Sequence, residues 1–213
     1  MIRDEVLGLC ELTNDLLYHK IPKDKVYFYI EESLKIGKSA ARPYKGMNII
    51  GVCKESGIEI EYLKESKKTY GVSFRAQVEM SQKQTKIWIY EGSLADLAKN
   101  SEYAGRKPIS YQDALQIHLC HEFFHYLEYQ QNRFVSQILP KITTLQVFGL
   151  KREGSINRCS EIAAHAFAKE LLKLEELPNV YDYLYLINSG QMRKDQFFEM
   201  IQSYEKMLEK LVL

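Results

Sequence analysis

The chain has 213 residues, of which 46% are hydrophobic and 27% charged, enough apolar content to close a sizeable core and too much for wholesale disorder. Its 29 Lys plus Arg balance 28 Asp plus Glu, a formal charge of +1, which excludes recognition of nucleic acid or an anionic membrane by bulk charge. The opening residues carry Asp4 and Glu5 and lack an apolar leader segment, and no run approaches the ~18 uncharged apolar residues of a membrane span, so a soluble, cytoplasmic, single-domain protein is expected.

Cys10, Cys53, Cys120 and Cys159 are scattered without a Cys-x-x-Cys pair, which predicts reduced thiols, the first three of them among apolar neighbours as small buried hydrophobes. Apolar spacing predicts helices over 3–18 through Val6, Leu9 and Leu12, over 25–38 through Val26, Ile30 and Leu34, and over 47–55 with Gly57 as its stop. Ile58-Glu59-Ile60-Glu61-Tyr62-Leu63 alternates apolar and acidic residues, the period of a strand with one wet face. Two further strands are expected over 71–80 and 85–90, joined as a hairpin through Ser81-Gln82-Lys83-Gln84, and together the three predict a small antiparallel sheet.

Beyond Gly92 the pattern turns helical over 93–99, 111–131, 157–174, 180–187 and 194–211, which makes the fold class α+β. The connector 133–154 contains Pro140 and Gly149, yet Val135, Ile138, Leu139, Ile142, Leu145, Val147 and Phe148 predict that it folds over the core. In the last helix Phe197, Ile201, Tyr204, Leu208 and Leu211 form an apolar stripe, read first as packing on the same chain and second as a seam for a dimer or another partner.

Of only five histidines, three fall within the run from His118 to His125, and His121-Glu122-Phe123-Phe124-His125 is an H-E-x-x-H motif. Positions i and i+4 stack on one helix face, so both imidazoles can meet one metal ion while Glu122 projects towards a reacting water without being a ligand. The helix start is signalled by Ser110 with Asp113 three residues later, a capping box. At this composition a random chain of this length shows H-E-x-x-H about once in a hundred, so a third ligand is what the argument needs. Glu161 is the candidate, on a helix whose Ala163, Ala164, Ala166 and Ala168 permit close approach to a neighbour.

His121-Glu122-x-x-His125 followed by Glu161-x-x-Ala164-x-x-Phe167-Ala168 resembles the ImmA/IrrE-type metallopeptidases, zincins of the gluzincin kind, over roughly residues 25–174, with a helical extension at 178–213. The chain carries Cys120 and Phe124 where members commonly have Ala and a small residue. The resemblance implies a zincin-like fold, Zn2+ held by His121, His125 and Glu161, and Glu122 as general base in peptide hydrolysis. It also implies a protein substrate such as a DNA-binding repressor, and makes the strand 85–90 the edge that pairs with an extended substrate. His165, one turn after Glu161, is a candidate oxyanion donor, with support of a ligand or a displaced ligand as its other readings; His118 reads as a hydrogen-bonded histidine. Two competing readings stand beside this one: a non-catalytic interaction module, motivated by Phe124 and the 194–211 helix, and hydrolysis of a non-peptide amide.

Overall fold

The computed structural model describes residues 1–69, 72–81, 83–103 and 107–212, with backbone alone at 67–69, 72–73 and 212. Its order is α1 (Asp4–Leu12), α2 (Lys23–Ala41), α3 (Ile49–Glu55), β1 (Ile58–Leu63), β2 (Lys67–Thr69), β3 (Val72–Phe74), β4 (Ala76–Met80), β5 (Thr85–Tyr90), α4 (Glu91–Lys99), α5 (Tyr111–Gln130), α6 (Val135–Ile138), β6 (Ile142–Val147), β7 (Leu150–Gly154), α7 (Arg158–Leu172), α8 (Val180–Asn188) and α9 (Lys194–Val212). The class is α+β, and α2, α5, α7 and α9 fall where apolar spacing puts them, whereas α1 stops at Leu12 and does not run on to 18. Gly57 ends α3 at a φ of +73°, a conformation open to glycine without steric cost.

The three-stranded sheet has the order β1-β5-β4, and its strands are not all antiparallel. β4 pairs antiparallel with β5, Val78 opposite Ile87, whereas β1 pairs parallel with β5, Ile58 opposite Thr85. The reason lies in the side chains: β5 carries Ile87 and Ile89, both fully buried, while β1 and β4 carry Glu59, Glu61 and Glu79, which are tolerated at an edge and not in the middle. β5 is therefore the central strand, hydrogen-bonded on both sides, and it is not the substrate-pairing edge that the resemblance implied. Among the described residues, the edge on the α5 side that no further strand covers belongs to β4. The expected strand over 71–80 is split at Arg75 into β3, which pairs with β2, and β4; Gly71 at its start and Gln82 in the expected loop lie outside the described residues.

One hydrophobic cluster joins α1, α2, α5, α7 and α9. Its tightest point is Gly37 on α2, where a Cβ would stand 2.1 Å from the Ala163 carbonyl oxygen and 2.9 Å from the Ala166 methyl on α7. On the α5 side, Phe123 and Phe124 pack against Phe167 with tilted rings, centroids 6.1 and 5.7 Å apart. α9 closes the opposite side by burying Phe197, Ile201 and Leu208, and Tyr204 reaches Thr13 at the end of α1 at 3.4 Å. Its stripe is thus used inside the chain. All four cysteines are buried and unpaired, and burial pushes Cys10, Cys53 and Cys159 up to about 12.

The connector divides into two halves. Val135, Leu139 and Ile142 are buried as expected, but the β6–β7 hairpin then leaves the core and exposes Leu145, Val147, Leu150 and Phe148. Phe148 and Gly149 both have positive φ, +47° and +83°, the left-handed pair that a two-residue hairpin turn demands. Turn geometry therefore overrides apolar composition there. Among the described residues no helix is long and apolar enough to cross a membrane.

Because nothing at Ala163 can give way except backbone, Gly37→Ala is expected to destabilise the chain by about 3 kcal/mol, read from urea unfolding. An unfolding midpoint equal to that of the unsubstituted chain would contradict the close α2–α7 packing.

Candidate metal centre

The helix that carries both motif histidines, α5, is fixed at its start. Ser110 Oγ accepts from the Asp113 amide at 3.0 Å, and Asp113 Oδ2 accepts from the Ser110 amide at 3.0 Å, so the capping box is complete. Ala114, Leu115, Ile117, Leu119, Cys120, Phe123 and Phe124 then bury most of the helix circumference. His121 and His125 lie on a partly exposed strip of the helix a turn apart, their rings edge to face with centroids at 4.8 Å.

Glu161 comes from the first turn of α7, where its carboxylate faces both rings. His121 Nε2 lies 3.1 Å from Glu161 Oε2 and 3.1 Å from His125 Nε2, and His125 Nε2 lies 3.6 Å from Glu161 Oε1. These three residues form a group that could hold a metal ion. The donor chemistry fits, because a tetrahedral ion with bonds near 2.1 Å separates its ligand atoms by about 3.4 Å. Two imidazole nitrogens at 3.1 Å also need a proton or a cation between their lone pairs. Burial alone would raise Glu161, yet the hydrogen bonds from His121 and His125 hold it well below the usual carboxylate range. Burial alone would lower His125, but hydrogen bonds to Glu128 and Glu161 outweigh it and push it up to about 10.

Glu122 points the other way, towards the sheet, and its Oε2 accepts from the Val78 amide on β4 at 2.8 Å. Tyr90 N donates to Arg75 O across the β4–β5 pair, and the two-residue alternation of an antiparallel ladder turns the Val78 amide outward. The carboxylate of the motif therefore sits on the free edge of β4. Beside it opens a cavity of about 230 Å³ whose walls include His118, His121, Glu122, Glu161, His165 and Tyr181. Ion pairs close its far side: Arg158 with Glu11 at 2.7 Å, and Arg75 with Asp182.

His165 stands in this cavity wall with its ring 4.8 Å from that of His121, and its Nδ1 is buried with no hydrogen-bond partner among the described residues. Burial, with His121 nearby, keeps it well below the normal imidazole range and hence neutral at pH 7. His118 is not a ligand: its Nδ1 donates to the Ala114 carbonyl at 2.8 Å, and burial together with Arg75 takes it down to about 4. Phe124 packs in the core against Phe167 and does not line the cavity. Tyr126 donates to the Ser56 carbonyl at 3.1 Å, away from the site.

Sequence reasoning did not single out Glu128, which lies 2.9 Å from His125 Nδ1 and is buried. Its i+3 spacing from His125 was the available signal. No family profile, characterised protein or solved structure matches this chain.

Two outcomes follow from this geometry. Zinc titration of the purified chain should saturate at one ion and, at a hundredfold excess over the dissociation constant, stabilise it by about 2.7 kcal/mol. Glu161→Ala should remove that gain in a thermal melt with and without zinc; a gain that survives would place the ion elsewhere. His118 binds its proton at about 4 when folded and 6.5 when unfolded, so the unfolded chain takes up the proton first as pH falls. Its contribution is complete above pH 6.5 and is lost on the way down to pH 4. His118→Gln should flatten the stability curve over that window by roughly 1–3 kcal/mol relative to the unsubstituted chain, and parallel curves for the two proteins would refute the buried neutral state.

Proposed function

We propose that this chain is a zinc-dependent peptidase of the ImmA/IrrE type, in which His121, His125 and Glu161 hold the metal and Glu122 is the general base. The observation that carries this reading is the juxtaposition of three converging ligand atoms with a non-ligating carboxylate on the open edge of a strand. Zinc, when bound, supplies a Lewis acid that lowers the pKa of water to roughly 7 and polarises a carbonyl.

The remaining steps belong to the chain. Glu122 takes the proton of the attacking water and returns it to the leaving amine. The free edge of β4, not β5, pairs with an extended substrate and lays its scissile bond over α5 beside Glu122. His165, neutral at the cavity wall and with Nδ1 unpartnered among the described residues, donates one N–H to the developing oxyanion. The substrate is a particular intracellular protein such as a DNA-binding repressor, recognised through strand pairing and side-chain pockets and not through net charge.

The competing reading of a non-catalytic interaction module draws less support, since Phe124 packs in the core and Phe197, Ile201 and Leu208 of the α9 stripe are buried within the chain. Glu122 has no structural need of its charge beyond one backbone hydrogen bond, which a Gln would also accept.

Glu122→Gln should therefore retain zinc and lose at least about 10²-fold in hydrolysis. Profiling of protein N-termini in cells expressing either form should reveal a new terminus with the unsubstituted chain only; identical termini with both would eliminate hydrolysis as the function.

A further inference from the structure

Glu128 lies within α5, where a carboxylate ordinarily faces water, yet its side chain is 4% exposed. Oε2 lies 2.9 Å from Nδ1 of His125. Oε1 accepts from the Val135 amide at 2.7 Å and from the Ser160 hydroxyl at 2.8 Å. Ser160 Oγ in turn accepts from the Ser136 amide at 3.3 Å, which leaves its own proton for Glu128. A backbone N–H can only donate, so both partners at Oε1 present protons and the carboxylate is the acceptor throughout. A carboxylate that accepts at Oε2 keeps a proton on Nδ1 of His125, so the ring that gives up its other proton to bind a metal presents its lone pair on Nε2. That Nε2 is the atom 3.1 Å from His121 Nε2 and 3.6 Å from Glu161 Oε1.

We infer that Glu128 is the positioning residue of the metal centre, fixing His125 in the Nδ1–H tautomer and aiming Nε2 at the metal. The same carboxylate ties three segments together: α5 through His125, α6 through Val135, and α7 through Ser160, the neighbour of Glu161. The ring orientation of one ligand and the placement of the helix bearing another are thereby set by a single buried group, an arrangement that orients ligands and raises their basicity. The inference rests on the metal of the proposed function and is independent of peptide hydrolysis.

Glu128→Gln separates this role from simple packing because it keeps shape and volume. The Gln oxygen must stay on the Val135 amide, since two donors cannot face each other, so its NH2 faces Nδ1 of His125. The imidazole then takes the Nε2–H tautomer, with a proton where the metal should bind. Ser160→Ala is the control: it removes one contact between α6, α7 and Glu128 while leaving the His125–Glu128 bond in place.

Zinc dissociation constants measured by competition with a chromophoric chelator should rise 10–100-fold for Glu128→Gln and by less than about threefold for Ser160→Ala. Imidazole 15N spectra of the unsubstituted, zinc-loaded chain should show the His125 proton on Nδ1. The inference is overturned by zinc affinity of Glu128→Gln within about twofold of the unsubstituted chain, by an equal loss in Ser160→Ala, or by a His125 proton on Nε2. The spectrum stands as a test even if Glu128→Gln does not fold. A chain that binds no zinc removes both the inference and the proposed function, whereas a Glu128 effect on zinc with no new N-termini in cells removes the peptidase alone.

Discussion

The distance between α5 and α7 decides whether there is a site at all. His121 and His125 are a turn apart on one helix and need nothing but helical geometry to meet, but Glu161 has to reach them across an interhelical gap with a side chain of only two methylenes. α7 can stand that close because it has no bulk on the sides that matter. Ala163 and Ala166 accept Gly37 of α2 at backbone contact, and by helical spacing Ala164 and Ala168 share the face of Glu161. Phe167, locked between Phe123 and Phe124, sets the rotation of α7 about its own axis. The core of this protein is thus arranged to deliver one carboxylate to two imidazoles.

That delivery collects charges which a protein interior otherwise avoids. Glu161, Glu122 and Glu128 lie within one small volume, with Glu11 and Asp182 on the cavity wall. Taking such groups out of water costs several kcal/mol each unless every one has a partner. Here each has one: Glu161 the two imidazoles, Glu122 the Val78 amide, Glu128 three donors, Glu11 Arg158, and Asp182 Arg75. The two remaining histidines of the cavity, His118 and His165, are held neutral by burial, so they add no positive charge to compete with a bound cation.

What the sequence reveals of this arrangement follows the range of each interaction. The helices, the Ser110–Asp113 capping box, the Gly57 stop and the His121–His125 pair are local, set by residues within about four positions of one another, and they can be read directly. The pairing of β1 with β5 cannot, because strand neighbours are chosen by burial across the whole sheet, and only the relative charge of β1, β4 and β5 hints that β5 takes the centre. Glu161 could be nominated through its alanine neighbours, but its contact with both imidazoles is a property of three packed helices. Glu128 was hidden for a related reason. A Glu in a helix looks like a surface residue until the chain returns with Val135 and Ser160 to bury it.

The hairpin β6–β7 and the strand β4 show how differently the molecule treats exposed sheet edges. The hairpin projects Phe148 fully into solvent and carries Lys151 and Arg152, charges of the kind that discourage further strand pairing. β4 has its outward amide at Val78 already occupied by Glu122, which leaves that edge capped by the one side chain whose carboxylate would have to move towards a reacting water. On the peptidase reading proposed above, a strand that pairs with β4 displaces Glu122 from the Val78 amide, so recognition and the freeing of the base are coupled through a single hydrogen bond.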